Sequence, residues 1–154
     1  MARRTLLRST VVAGGVTTAA GPVRGQAKSK KKVLKTDKAA APIGPYSQGI
    51  QIGNLIFVAG EKGLDPKTGK IVPGGIKAET RQTLENIKAI LAAAGATFDD
   101  AVASTVHMTN LKEFQEMNEV YAEYFRAAPP GRTTVEVSAL PGGAHVEITV
   151  IAAV

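Results

Sequence analysis

Two helical segments, each with a single apolar face, constrain the fold of this 154-residue chain more than any other feature of its sequence. In the first segment, apolar and small residues recur at spacings of three and four, which is the spacing of one helix face. These residues are Thr80, Leu84, Ile87, Leu91 and Ala94. Charged side chains at Glu79, Glu85 and Lys88 are predicted to lie on the opposite face, and Gly95 is predicted to end the helix.

The second helix is predicted over residues 112–125, and strand patterns bracket both helices. Its apolar face is formed by Phe114, Met117, Tyr121 and Phe125. Segments dense in β-branched and apolar residues favour strands. They occupy residues 47–52, 55–60, 102–109, 133–140 and 145–154. Since each helix has one apolar face, we expect an α+β domain with both helices on one face of a sheet.

The other face of that sheet also needs a cover. Residues such as Val135, Val137, Ile148 and Val150 make these strands too apolar to leave in water. Self-association would cover the face, and the alternative is a sheet that rolls on itself within a monomer.

The charge of the chain is concentrated at one end. Residues 1–38 hold ten Lys and Arg against one Asp, a charge of +9, whereas residues 39–154 carry −3. A mildly acidic body lacks the positive footprint that neutralises phosphates, which argues against a nucleic-acid partner. The chain contains no Cys, which excludes disulfides, thiolate zinc sites and a Cys nucleophile.

The basic N-terminal segment is predicted to be a targeting signal. Arg3 and Arg4 precede the uncharged stretch Ser9–Val23, a pattern typical of a twin-arginine export signal. We expect cleavage after Ala27, with residues 28–32 left as a basic tail and the mature protein in the periplasm. The stretch is too short and too weakly apolar for a membrane span. A disordered basic leader, a mitochondrial-type transit segment and a cytoplasmic location are the alternatives.

Charged residues inside strand patterns are the first candidates for chemistry, because a charge there is costly unless it is paired or used. Arg132 offers a planar fork of donors that suits a carboxylate, and Glu147 suits the orientation or deprotonation of a water molecule. The plainer interpretation is that the two pair with each other or face solvent.

The expected register separates Arg132 from Glu147. A hairpin turning at residues 141–144 would place both on one face, with Arg132 opposite Ala153 and roughly 20 Å from Glu147. A site that uses both residues would then straddle two subunits, unless the strands pair in another way.

Other chemistries find little support. The only histidines, His107 and His145, have no Cys or acidic motif beside them and are interpreted as structural rather than as metal ligands. No nucleophile elbow surrounds Ser47, and no phosphate loop or dinucleotide fingerprint is present.

Several motifs in order resemble the RidA/YjgF family of reactive-intermediate imine deaminases. The resemblance spans residues 33–154, and its specificity lies in the ordered set rather than in any one motif. The matching segments are 43–49 (IGPYSQG), 55–60 (LIFVAG), 83–91 (TLENIKAIL), 114–125 around Asn118-Glu119-Val120-Tyr121, and 131–137 (GRTTVEV) continuing to Glu147.

The resemblance implies a chorismate-mutase-like α+β fold in a homotrimer, with clefts between subunits. It implies that Arg132 binds the substrate carboxylate, that Glu147 positions the attacking water, and that Tyr46 lines the cleft, from the neighbouring chain. Thr134 stands where relatives often have Cys or Ser, and its backbone would contact the substrate. The implied reaction is hydrolysis of a 2-imino acid to a 2-oxo acid and ammonia, with no metal or organic cofactor.

The sequence departs from the family at Glu61, where Gln is common, and at Gly131 and Thr133 beside the arginine. These departures bear on the substrate more than on the chemistry. The alternative function is a non-catalytic trimer of the same fold that binds small ligands or protects other proteins.

Overall fold

The computed structural model describes residues 30–154, which form one mixed sheet with two helices packed on one of its faces. The strands are β1 (Lys32–Leu34), β2 (Gly49–Ile52), β3 (Leu55–Val58), β4 (Glu61–Lys62), β5 (Ala101–Met108), β6 (Gly131–Glu136) and β7 (Val146–Ala153). The helices are α1 (Gly75–Ala93) and α2 (Phe114–Tyr124). The predicted α+β class with two helices and a mixed sheet is confirmed.

The order of the strands places β7 at the centre of the sheet. Across the described residues the order is β1-β2-β3-β7-β5-β6, and the short β4 also pairs with β7. All neighbouring strands are antiparallel except β5 and β6, which are parallel. The predicted hairpin around Gly53-Asn54 is confirmed, because Ile52 pairs with Leu55 and Gly53 has the positive φ of 58° that such a turn requires.

The core lies between α1 and the helix-facing side of β5 and β7. Leu84, Ile87 and Leu91 are fully buried, as the helical spacing predicts. Opposite them, alternate residues of β7 are buried, including Ile148 and Val150. These two residues therefore face the helices rather than the open side of the sheet.

The prediction that Glu79 lies on the exposed face of α1 is wrong. Its side chain is buried, and its Oε2 accepts a hydrogen bond of 2.8 Å from the backbone N–H of His145. A buried carboxylate is tolerated where it accepts such bonds. Glu79 therefore ties α1 to the segment that leads into β7.

The two helices are joined by ion pairs on their solvent side. Arg81 makes a bidentate contact with Glu123, at 2.6 and 2.8 Å, and Lys77 contacts Glu119 at 2.6 Å. Both pairs are exposed, so each contributes little to stability.

The sheet face opposite the helices carries exposed apolar side chains. Strand alternation and register place them on that one face. They are Val33, Ile52, Leu55, Phe57 and Val135. An apolar face of this kind is what the predicted self-association requires. The fold fits a homotrimer, and the assembly itself stays a prediction.

The predicted hairpin between β6 and β7 is wrong. Strand β5 lies between them, so that Ser104 pairs with Arg132 on one side and with Val150 on the other. The chain between β6 and β7 crosses over β5, and Arg132 does not lie opposite Ala153. The cause is that a short Pro-Gly-Gly segment is compatible with such a crossing as well as with a tight hairpin.

One buried side chain shapes the loop before β2. The Gln48 amide oxygen accepts from the backbone N–H of Thr36, and its nitrogen donates to the carbonyl oxygens of Thr36, Ala39 and Ala40 at 2.9 to 3.2 Å. These bonds fix the start of the segment that carries Tyr46.

The predicted signal peptide and periplasmic location are corrected. Residues 1–27 lie outside the described residues, and no helix within residues 30–154 has the length and apolar character needed to cross a membrane. The physical reason is composition: Ser9–Val23 contains three Gly and a Pro and no Leu, Ile or Phe, so it is a poor apolar helix former. Of the predicted basic tail, Lys32 is the first residue of β1.

Candidate functional site

Glu147 lies at the centre of a cluster of polar side chains on the open face of the sheet. It alternates along β7 with Val146 and Ile148, which are buried against the helices. Its Oε2 is 3.4 Å from the Lys62 ammonium, and its Oε1 is 3.9 Å from Nδ1 of His107. The carboxylate is partly exposed, so a water molecule can reach it.

The space around the Glu147 carboxylate is kept open by a glycine. A Cβ atom at Gly60 would lie 2.8 Å from Cδ and Oε1 of Glu147, closer than such atoms approach in proteins. Tyr46, Ile43, Gly60, Lys62 and Glu147 line a cavity of about 370 Å³ beside it. The Tyr46 hydroxyl oxygen accepts a hydrogen bond of 3.1 Å from the backbone N–H of Ile43, which holds the ring at the cavity.

Glu61 is a buried carboxyl next to this cluster. Its pKa is raised to about 7: burial is the main cause, the Lys62 ammonium opposes the rise, and the charge of Glu147 adds a smaller increase. The group is therefore partly protonated at neutral pH, in contrast to an ordinary glutamate.

We expect Glu61→Gln to stabilise the protein at pH 8 and to have less effect at pH 5. The folded state holds a proton that the unfolded state loses above pH 4.5, so wild-type stability falls as the pH rises from 4.5 to about 7. The variant has no carboxyl to lose this proton. The difference in free energy of unfolding between the variant and the wild type should therefore grow, in favour of the variant, by about 2 kcal/mol between pH 5 and pH 8.

Urea unfolding at both pH values and one protein concentration measures this difference. Glu116→Gln, on the exposed side of α2, is the control and should follow the wild-type pH dependence. An advantage of Glu61→Gln that is equal at the two pH values would contradict the assignment.

Arg132 forms a second group of polar side chains, at the other side of the sheet. Its guanidinium lies 4.5 Å from the centre of the Tyr121 ring and 5.7 Å from that of Phe114. Within residues 30–154 no carboxylate lies within salt-bridge distance of it. The rings fix the guanidinium plane and leave its donors available.

Three hydroxyl groups are buried beside Arg132 without a hydrogen-bond partner: those of Ser104, Tyr121 and Thr134. Ser104 and Thr134 lie on the same face as Arg132, since β5 and β6 are in register. Arg132, Tyr121 and Asn118 also line a cavity of about 470 Å³. Of the three residues with unpaired hydroxyls, Tyr121 lines this cavity, and together with the Arg132 guanidinium and the Asn118 amide it gives the cavity a polar wall that suits a polar ligand.

The two groups do not meet within one chain. Arg132 and Glu147 are two strands and three residues apart, so their Cα atoms are separated by roughly 14 Å. They also point to opposite faces: Arg132 faces the same side as buried Ser104, and Glu147 pairs with His107 on the open side. The interpretation that they pair with each other is wrong, as is the expectation that they share a face.

Lys62 and His107 are the residues that sequence reasoning missed. Lys62 and Glu61 are adjacent charged residues directly after an apolar strand. Because charges in such a position are costly unless they are paired or used, the pair could have indicated a functional site. His107 was interpreted as structural, and it contacts Glu147. Tyr121 and Phe114 belong to the predicted core face of α2 and also hold Arg132.

Comparison with known proteins extends over nearly all of the described residues. The family model described as Endoribonuclease L-PSP matches residues 36–154. A RutC family protein of Pyrococcus horikoshii is 54% identical over 122 residues, which are 79% of this chain and 97% of that protein. The 2-iminobutanoate/2-iminopropanoate deaminase of Mus musculus is 45% identical over 122 residues, 79% of this chain and 90% of that protein.

A solved structure shows the same fold. E. coli TdcF with bound serine is 39% identical, with a TM-score of 0.77, over 80% of this chain and 98% of that one. Both groups of polar residues lie within the matched part of the chain.

Proposed function

Since the chain belongs to the endoribonuclease L-PSP family, which is the RutC/RidA/YjgF family and includes named imine deaminases, we propose that it hydrolyses reactive 2-imino acids to 2-oxo acids and ammonia. The site would form between subunits of a homotrimer, with Arg132 from one copy and Glu147 and Tyr46 from the next. The opposite orientation of Arg132 and Glu147 supports this arrangement, because one chain cannot bring them together.

The observation that carries the proposal is that the Arg132 guanidinium packs on aromatic rings and has no carboxylate partner within residues 30–154. A guanidinium stacked on two aromatic rings, with no carboxylate near it among the described residues, is a preorganised receptor for the carboxylate of an imino acid. The backbone of Thr134, on the same strand, would contact the same end of the substrate.

Glu147 supplies the second requirement, a placed water. An iminium carbon is already electrophilic, so the reaction needs orientation more than activation. Glu147 would accept a proton from a water molecule while the oxygen of that water forms a bond to the iminium carbon, which gives a carbinolamine. Glu147 would then return the proton to the nitrogen, the C–N bond would break to release ammonia, and the carbinolamine hydroxyl would lose its proton to become the carbonyl of the 2-oxo acid.

Ligand binding without turnover is the second candidate. It is supported by the structural relative E. coli TdcF, whose crystal structure has bound serine. In that case Arg132 would still bind a carboxylate, and Glu147 would bind an ammonium group without a chemical step.

The test is release of ammonia and 2-oxo acid from 2-iminopropanoate that an amino acid oxidase generates in the same solution. The folded protein should accelerate release in proportion to its concentration. If a folded, oligomeric protein gives no acceleration, while calorimetry detects serine binding, the ligand-binding function replaces the deaminase.

A further inference from the structure

A buried lysine lies in the cavity beside Glu147, where imine hydrolysis does not require one. The side chain of Lys62 is 6% exposed, and its backbone in β4 pairs with that of Glu147. Its carbonyl oxygen accepts from the Asn86 amide at 3.1 Å, which fixes the strand from the helix side. Lys62 is therefore held rigidly against the cavity.

The hydrogen bonds of this ammonium are incomplete. It has three donors, and within residues 30–154 its one acceptor is Glu147 Oε2 at 3.4 Å, a long contact. A buried ammonium with one long contact is costly, and a further anionic acceptor would offset that cost.

The rest of the cavity wall is largely apolar. Ile43, Pro141 and the ring of Tyr46 line it, and its volume is about 370 Å³. A short carbon chain that ends in an anionic group matches such a wall, because the chain would contact the apolar residues while the anion reaches Lys62.

The charges of the two groups also favour a second anion. Arg132 and Lys62 are cations and Glu147 is an anion, which leaves one positive charge in the combined site. Glu61 carries reduced charge near neutral pH, since burial raises its pKa to about 7. His107 is the other titratable group that faces Glu147. An iminium with one carboxylate is neutral overall, whereas one with two carboxylates carries −1 and balances the site.

We propose that Lys62 selects 2-imino acids whose side chain ends in a second carboxylate, an inference that rests on the proposed deaminase function. Arg132 of the neighbouring copy binds the α-carboxylate, Glu147 orients the water, and Lys62 binds the distal carboxylate. The reaction is hydrolysis: the 2-imino dicarboxylate and one water give the 2-oxo dicarboxylate and ammonia, with no oxidant or reductant.

The test compares two imines of the same size and branching. Iminosuccinate, generated from aspartate, and 4-methyl-2-iminopentanoate, generated from leucine, differ in whether the side chain ends in a carboxylate or two methyl groups. We expect the wild-type ratio of kcat/KM to favour iminosuccinate by about tenfold to a hundredfold, the range of one charge-assisted hydrogen bond.

Substitution of Lys62 should change that ratio. Lys62→Met should bring it to one or below, and Lys62→Arg should keep it above one, because the positive charge is retained. Lys67→Met, on the exposed turn after β4, removes an equal charge outside the cavity and should leave the wild-type ratio unchanged. Should Lys62→Met fail to fold, Lys62→Gln replaces it and should lower the ratio in the same way, and the wild-type ratio is a test that needs no variant.

Each outcome bears on a separate claim. Turnover of both imines with a wild-type ratio near one would overturn the role of Lys62 and leave the deaminase standing, as would an unchanged ratio in Lys62→Met. Absence of turnover with both imines and with 2-iminopropanoate would overturn the deaminase, whereas turnover of 2-iminopropanoate alone would overturn the role of Lys62. Calorimetry with the hydrolysis products, freshly dissolved oxaloacetate and 4-methyl-2-oxopentanoate, then decides whether Lys62 still selects the dicarboxylate.

Discussion

Arg132→Ala should lower kcat/KM for 2-iminopropanoate by at least about a hundredfold. The variant removes the receptor for the substrate carboxylate and leaves Tyr121 and Phe114 without the cation that lies on their rings. Because Arg132 is exposed in the single chain, we expect the fold to survive the substitution. Ammonia release and circular dichroism of the same preparations measure the two effects.

A matched arginine serves as the control. Arg81→Ala breaks an exposed ion pair with Glu123 between the helices, away from both groups of polar residues, and should keep wild-type activity. Arg132→Lys retains the charge without the planar fork and should recover only part of the rate. Full activity in Arg132→Ala would remove Arg132 from the site and overturn its role as the receptor for the substrate carboxylate.

Two inactive variants should restore activity when they assemble together. Arg132→Ala and Glu147→Gln each destroy one half of every site. In a mixed oligomer, some interfaces join the intact Arg132 of one copy to the intact Glu147 of its neighbour. Refolding the two variants together from denaturant at equal amounts should return about a quarter of the wild-type rate, the share of such interfaces under random mixing.

The same variants mixed after folding, without subunit exchange, should stay inactive, which controls for contamination. Arg132→Ala that is refolded by itself in the same way should also stay inactive. If the mixed oligomer shows no activity, although mass spectrometry detects both subunits in it, then each site belongs to one chain and the arrangement between subunits is wrong.

Local structure was predictable from this sequence because short-range physics decides it. The helical spacing of Leu84, Ile87 and Leu91 fixes which face of α1 is buried, and Gly53-Asn54 fixes the β2–β3 turn. The family resemblance then named Arg132, Glu147, Tyr46 and Thr134, and their roles stay predictions.

Long-range pairing was not predictable in the same way. Nothing in residues 131–154 shows that β5 separates β6 from β7, since that order depends on contacts between segments far apart in the chain. Glu79 was misplaced for a related reason: its partner, the backbone of His145, lies 66 residues away. The cluster of Lys62 and His107 around Glu147 likewise arises from three separate strands.

The four hydrogen bonds of Gln48 have a consequence for how tightly the cavity beside Glu147 can bind. They order residues 36–40 in the free protein and so fix the approach to Tyr46 without regular secondary structure. The conformational entropy of that loop is lost at folding rather than when a ligand arrives. Ligand contacts with Tyr46 therefore do not have to offset the cost of ordering that loop, which leaves more of their free energy as affinity.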